Sequence, residues 1–217
     1  IMPDLTSDID FLWQSFLKGD DKSFAIIYQH YIEPLFSYGF KISPDRDIVP
    51  DCIQEIFIDL FLRRKKLNLP IEHLKPYLFI AFRNCLLKKI EKQRKLEQFV
   101  THEKNNNLPF LVEYSLKDNF TEFEISEEVK IKLQSAVNKL SPRQKEIIYL
   151  KFEEEIDYPE ISQIMKISVE SARKLLYRAL LSLRKTVDPA ILQMLFIFFS
   201  KKSDNNVHVL APSYSLL

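Results

Sequence analysis

Glycine is nearly absent from this chain, and its scarcity restricts the possible folds more than any other feature of the sequence. Only Gly19 and Gly39 occur among 217 residues. Tight β-hairpins rely on glycine for backbone conformations with positive φ, so a turn-rich all-β fold is disfavoured. Long segments rich in Leu, Ile, Lys and Glu favour helices instead. The sequence therefore predicts an all-α protein.

The composition is that of a folded, globular protein. Hydrophobic residues make up 46% of the chain and charged residues 28%, which is enough apolar surface to build a core. The net charge of +1 says little by itself, but the basic residues come in blocks. Cys52 and Cys85 are far apart in sequence, in apolar surroundings. We interpret both as small buried hydrophobic residues, and not as a metal pair or a disulfide framework.

Apolar residues at helical spacing predict a helical N-terminal half. The four predicted helices cover about 9–17, a segment capped by Asp20 or Asp21, 48–64 and 76–96. Pro50 fits only the first turn of the third helix, where a missing N–H does no harm. The C-terminal half of the fourth helix is strongly basic. Aromatic stripes on these helices are expected to form the core.

A change of composition over residues 97–125 predicts a linker, since three consecutive asparagines and Pro109 interrupt the periodicity. We expect two small helical domains joined by this linker. The predicted limits are 1–96, 97–125, 126–187 and a C-terminal extension 188–217. No signal peptide is evident, and the apolar run 191–199 is too short to span a membrane. A cytoplasmic location is therefore expected.

The C-terminal half carries the signature of a helix-turn-helix unit over residues 141–185. Ser141, Pro142 and Gln144 form a strong helix start with a capping box. A short helix from about Asp157 to Met165 is followed by a longer helix that Ser168 caps. The second helix of such a unit fits the major groove of DNA. We expect its DNA-contacting residues to be Glu170, Ser171, Arg173, Lys174 and Arg178. A plain helical bundle with a solvated basic face remains an alternative, as does a protein-docking surface.

Three parts of the chain resemble one known family. They are LSPRQKEIIYLKF (140–152) with YPEISQIMKISVESARKLLYRALLSLR (158–184), DCIQEIFIDLF (51–61), and PYLFIAFRNCLLKKIEKQRK (76–95). The first resembles the −35 reading domain of bacterial sigma factors, the second their conserved second region, and the third the helix that meets the −10 element. Their order and the chain length are similar to those of the two-domain extracytoplasmic-function (ECF) group of the sigma-70 family.

The resemblance implies partners and roles. The partners would be core RNA polymerase, through its β′ clamp helices and β flap, promoter DNA, and an anti-sigma factor that could be membrane-bound. The residues expected to bind core polymerase are Asp51, Gln54, Glu55 and Phe57. The residues expected at the −10 element are Arg63, Arg64, Arg83, Asn84, Lys88 and Lys92.

The sequence departs from the family pattern at the reading helix and its turn. Lys166 stands where glycine is usual, so either it adopts the turn conformation without glycine's freedom or the turn differs slightly. Leu175 replaces a basic residue that is common in the family. Glu170 stands where small residues are frequent, which points to an unusual base preference.

Two other functions are weighed against a sigma factor. A free-standing regulator with an N-terminal sensory or dimerisation domain would also contain a helix-turn-helix, although the 51–61 and 83–95 segments argue against it. A helical enzyme is disfavoured because His30, His73, His102 and His208 are scattered without metal-ligand spacing. We expect no catalytic residues, no metal and no cofactor.

Overall fold

The chain folds into two compact units: the first comprises residues 1–113 with the short segment 163–166, and the second comprises residues 114–162 and 167–217. The computed structural model describes residues 5–43, 45, 47–67, 69–101, 110 and 127–185, and all regular structure in these ranges is helical. The all-α prediction is therefore confirmed. The C-terminal extension, with its apolar run, and most of the predicted linker lie outside the described residues. None of the described helices is long and apolar enough to cross a bilayer.

The described residues up to 110 form four α-helices, close to those predicted. They are α1 (Leu5–Leu17), α2 (Asp21–Ile42), α3 (Ile48–Arg63) and α4 (Leu74–Thr101). Asp20 caps α2 by accepting hydrogen bonds from the backbone N–H groups of Lys22 and Ser23, and Pro50 lies in the first turn of α3. Helix α4 extends past the predicted end at residue 96, so the start of the predicted linker is helical.

Aromatic and aliphatic side chains from all four helices fill the core of this unit. Trp13 is fully buried, and its indole N–H donates to the carbonyl of Leu69 at 2.8 Å. A Cβ on Gly39 would lie 2.7 Å from the ring of Phe82, so only glycine allows this close packing of α2. Phe110, assigned to the linker from sequence, is also buried, with its ring 6.1 Å from that of Tyr38.

The two cysteines correct one expectation from the sequence. Cys52 on α3 is buried and Cys85 on α4 is half-buried, and both are free thiols. Their Sγ atoms are 3.0 Å apart, because α3 packs directly against α4. Cys52 is buried as expected and neither thiol is in a disulfide, but Cys85 is only half-buried, and the packing of the two helices places it beside Cys52 despite a separation of 33 positions.

Four further α-helices lie within the described residues 127–185. They are α5 (Glu127–Asn138), α6 (Pro142–Ile148), α7 (Tyr158–Met165) and α8 (Val169–Arg184). The capping box at Ser141 is present in full, with hydrogen bonds in both directions between Ser141 and Gln144. A wide π-helical turn at Tyr149–Glu153, which the sequence did not predict, continues α6. The Tyr149 hydroxyl donates to Glu154 Oε1 at 2.5 Å inside the unit, which holds this turn closed.

Candidate functional site

One face of α3 combines acidic, amide and apolar side chains that are open to solvent. Asp51, Gln54 and Glu55 are all exposed, as predicted for a docking surface. Ile58 and Leu62 are 52% and 74% exposed, which is unusual for large aliphatic side chains. Residues 51, 55, 58 and 62 follow the i, i+4, i+7, i+11 spacing of a single helix face. We call Asp51, Gln54, Glu55, Ile58 and Leu62 the α3 face.

Two members of the α3 face were not singled out from the sequence. Neither Ile58 nor Leu62 was assigned a role from the sequence. Continuing the helical spacing from Asp51 toward the C-terminus would have identified both. A surface patch that pairs carboxylates with uncovered aliphatic groups is typical of a protein-binding helix.

Phe57 has a different position from the other predicted docking residues. It is only 2% exposed, and its ring packs edge-on against Tyr28 with centroids 4.8 Å apart. It also meets Phe24, at 6.1 Å. Phe57 therefore offers no surface to a partner. Its ring anchors α3 in the core of the first unit.

Lys89 of α4 joins the acidic side chains of the α3 face. Its Nζ lies 3.3 Å from Glu55 Oε2 and 4.0 Å from Asp51 Oδ2. The hydrogen bond from Lys89 holds the pKa of Glu55 below its ordinary value. Burial lowers the pKa of Lys89, but the bond to Glu55 and nearby negative groups outweigh this effect, so its pKa is raised overall. The acidic part of the α3 face is thus oriented by a side chain from α4.

The basic residues after α3 are partly engaged within the protein. The Arg63 Nε lies 2.6 Å from Asp59, but the side chain remains 65% exposed. Arg64 is more restricted, because it binds Asp21 at 3.0 Å and its guanidinium lies 4.3 Å from the centre of the Phe61 ring. Of these two predicted −10 residues, Arg63 is the better placed to meet an external phosphate.

Helix α4 presents a polar and basic face on its C-terminal half. Asn84, Lys88 and Lys92 are exposed and share one face at four-residue spacing, while Arg83 beside them is half-buried. Lys95 continues the same stripe and pairs with Glu91 at 2.7 Å. Such a row of cations suits a phosphate backbone. The structure therefore brings four of the six predicted −10 residues together on one helix.

Helices α7 and α8 and the turn between them have the predicted helix-turn-helix form. Ser168 caps α8 by accepting a hydrogen bond from the Ser171 N–H at 3.1 Å. Lys166 in the turn has a φ of +53°, so the expected left-handed conformation without glycine is confirmed. The backbone cost is of the order of 1 kcal/mol.

The five predicted −35 residues all lie on the exposed side of α8. Lys174 is paired with Glu170 at 2.5 Å, and the Ser171 hydroxyl accepts from Ser168. The Arg173 guanidinium lies 5.5 Å from the centre of the Tyr158 ring, at the start of α7. Tyr158, which the sequence did not single out, therefore supports Arg173 from the neighbouring helix.

Comparisons with known proteins assign the family. The family model described as Sigma-70, region 4, matches residues 130–183, which cover α6 to α8 and most of α5. ECF RNA polymerase sigma factor SigM of Bacillus subtilis (strain 168) is 25% identical over 154 residues, which are 70% of this chain and 88% of that protein. That alignment is longer than either compact unit, so the similarity extends to both. These matches support an ECF sigma factor of the sigma-70 family.

Solved structures agree with this fold. The sigma factor RpoE, crystallised with the anti-sigma factor NepR from Bartonella quintana, has a TM-score of 0.53 at 17% identity, covering 76% of this sigma factor and 96% of that chain. CnrH in complex with the cytosolic domain of CnrY has a TM-score of 0.50 at 15% identity, covering 82% and 96%. The comparisons do not favour the alternative of a free-standing regulator. Sigma factors are transcription initiation factors and not enzymes of the usual kind.

Proposed function

We propose that this sigma factor divides promoter recognition among three surfaces. The α3 face docks on the β′ clamp helices of core RNA polymerase, the exposed side of α4 meets the −10 element, and α8 enters the major groove at the −35 element. The second unit also contacts the β flap. The protein contributes binding energy and no catalytic chemistry, and it works in the cytoplasm with the polymerase.

The observation that carries the docking proposal is the composition of the α3 face. The ion pair with Lys89 orients the Glu55 carboxylate. Leu62 is 74% exposed, although Leu60 nearby on the same helix is fully buried. Leaving such aliphatic surface in water is unfavourable, and a partner that covers it regains that free energy. A clamp helix with apolar and basic side chains would complement both parts.

The DNA-binding proposal rests on the arrangement of charges. Lys88 and Lys92 can neutralise backbone phosphates beside the melted −10 strand, where affinity comes from counterion release. On α8, the ring of Tyr158 positions the Arg173 guanidinium. Arg173 can then donate bidentate hydrogen bonds to the edge of a guanine. Arg178 lies one turn further along and would contact a phosphate.

An anti-sigma factor is proposed as the natural inhibitor. The sigma factor RpoE was crystallised with the anti-sigma factor NepR, and CnrH was solved in complex with the cytosolic domain of CnrY. An inhibitor that covers the α3 face would compete directly with core polymerase.

The test removes the polar part of the α3 face and compares it with a matched control. Replacing Asp51, Gln54 and Glu55 with alanine should abolish core binding, measured by fluorescence anisotropy of the labelled full chain. The control replaces Asp10, Gln29 and Glu33, which are two carboxylates and one amide at exposed positions of α1 and α2. Equal core affinity of both variants would overturn the docking proposal, provided that both melt like the parent protein.

A further inference from the structure

The packing of α3 against α4 brings together two thiols that the sigma function does not use. Cys52 and Cys85 are the only cysteines in the chain, so within one molecule each can pair only with the other. Their sulfur atoms are 3.0 Å apart. No group of three or more metal-binding side chains occurs in the part of the chain that the structure describes, so the pair lacks the partners of a metal site.

We propose that Cys52 and Cys85 form a reversible intramolecular disulfide when the protein meets a peroxide, and that this bond joins α3 to α4. A disulfide needs its sulfur atoms about 1 Å closer than they are here. Because the two helices already pack directly together, small side-chain rotations supply this approach. The proposal does not depend on which partner binds the α3 face.

The more accessible thiol reacts with the peroxide, and the buried thiol then forms the disulfide with it. Cys85, which is half-buried, attacks one peroxide oxygen as its thiolate, and the O–O bond breaks. The departing hydroxide takes up the thiol proton as the first water, leaving a sulfenic acid on Cys85. The sulfur of Cys52 then attacks that sulfur and displaces hydroxide, which leaves with the Cys52 proton as the second water. Two thiols lose two electrons, and one peroxide becomes two waters.

The charged groups around Cys52 and Cys85 affect the rate at which the two thiols are oxidised. Burial raises the pKa of both thiols, which makes the thiolate scarce at neutral pH. Glu55 raises the pKa of both thiols further, whereas the Lys89 ammonium lowers it. The pair therefore oxidises slowly. A Glu55→Gln variant should oxidise faster than the parent protein, and a Lys89→Gln variant more slowly.

The bond would have a structural consequence for the first unit. It would close a loop of about 33 residues that includes the end of α3 and the start of α4, which reduces the entropy of the unfolded chain. The oxidised protein should therefore melt roughly 5–10 °C higher than the reduced protein. The helix that carries the α3 face would then be fixed to the helix that carries Lys88 and Lys92.

The test uses the full-length protein without any substitution. The reduced chain is exposed to hydrogen peroxide, quenched with iodoacetamide under non-reducing conditions, and analysed by intact mass and peptide mapping. The proposal predicts a monomer that has lost two hydrogen atoms, takes up no alkyl group, yields one peptide pair linking Cys52 to Cys85, and reverts with dithiothreitol. Cys52→Ala and Cys85→Ala variants should each lose the linked peptide.

Three results would overturn the proposal. The first is separate oxidation of each thiol to its sulfinic acid. The second is a disulfide between two chains. The third is two thiols that remain alkylatable while added glutathione is fully oxidised in the same tube. The parent protein alone decides among these outcomes, so a poorly folded cysteine variant would not obscure the answer.

Discussion

The Nζ of Lys89 lies 3.3 Å from Oε2 of Glu55, and this contact links α4, the proposed −10 helix, to α3, the proposed docking helix. The side chains are 32% and 63% exposed, so the pair contributes at most about 1 kcal/mol to folding. Its larger effect is to orient a carboxylate that a polymerase partner would use. An experiment can therefore separate the contribution of Glu55 to folding from its contribution to polymerase binding.

Exchanging the two charges separates these roles. The double variant Glu55→Lys with Lys89→Glu can form the same ion pair in the opposite direction, so its melting temperature should stay close to that of the parent. Core affinity should fall at least tenfold, which corresponds to about 1.4 kcal/mol, because a cation now occupies the α3 face. Anisotropy titration and thermal melting check both outcomes. Full recovery of core binding in the double variant would show that Glu55 serves only the fold.

Phe57 and Leu62 should respond in opposite ways to truncation. Phe57→Ala removes a ring that is 2% exposed and should cost about 3–5 kcal/mol of unfolding free energy. Leu62→Ala removes an exposed side chain and should change stability by less than about 0.5 kcal/mol. The Leu62 variant should nevertheless weaken core binding by about 1 kcal/mol or more. Urea denaturation and core titration give the two numbers, and a Leu62 variant with normal core affinity would remove it from the docking surface.

Glu170 should affect DNA binding in two ways that a promoter library can separate. Its carboxylate repels phosphates and pairs with Lys174 at 2.5 Å, so Glu170→Ala should strengthen binding to all sequences at low salt. If Glu170 also accepts a hydrogen bond from a cytosine, the same variant should lose about 1–3 kcal/mol of discrimination at one −35 position. Holoenzyme binding to a −35 library at fixed salt measures both. A uniform gain with unchanged preference would leave Glu170 without a base contact.

A substitution at Lys166 should make the turn between α7 and α8 more stable. A φ of +53° costs an L-residue roughly 1–2 kcal/mol, and glycine in the same place costs about 0.5–1 kcal/mol in unfolded-chain entropy. Lys166→Gly should therefore stabilise the helix-turn-helix by up to about 1 kcal/mol. Lys166→Ala is the control, because it removes the side chain and keeps the strain.

The two units can be followed separately in that experiment. The single tryptophan, Trp13, is buried in the first unit, so its fluorescence reports that unit while circular dichroism reports the helices of both. Only the dichroism transition should move in the Lys166→Gly variant. An unchanged transition in both probes would mean that the turn is not strained.

Local patterns predicted local structure well. The caps at Asp20, Ser141 and Ser168 and the left-handed Lys166 all depend on residues a few positions apart, which a sequence displays directly. The exposed side of α8 followed from helical periodicity for the same reason. Family resemblance then supplied the function, which periodicity alone could not have provided.

Features that depend on how helices pack against one another were not predicted. The proximity of Cys52 to Cys85 and the tether between Arg64 and Asp21 join residues that are more than 30 positions apart. Phe57 matched a family docking position, although its helical spacing with Ile53 and Leu60 already predicts a buried ring, and the structure confirms the burial. The domain limits and the individual contact residues remain predictions.

Transcription reconstituted from purified components tests the central claim most directly. Bacterial core RNA polymerase and the full-length protein are incubated with a library of randomised promoters, and the transcripts are sequenced. The account predicts initiation from templates that share two spaced elements, with no initiation when the protein is omitted or its α3 face is replaced by alanines. Absence of core binding together with absence of transcripts from every template would contradict it.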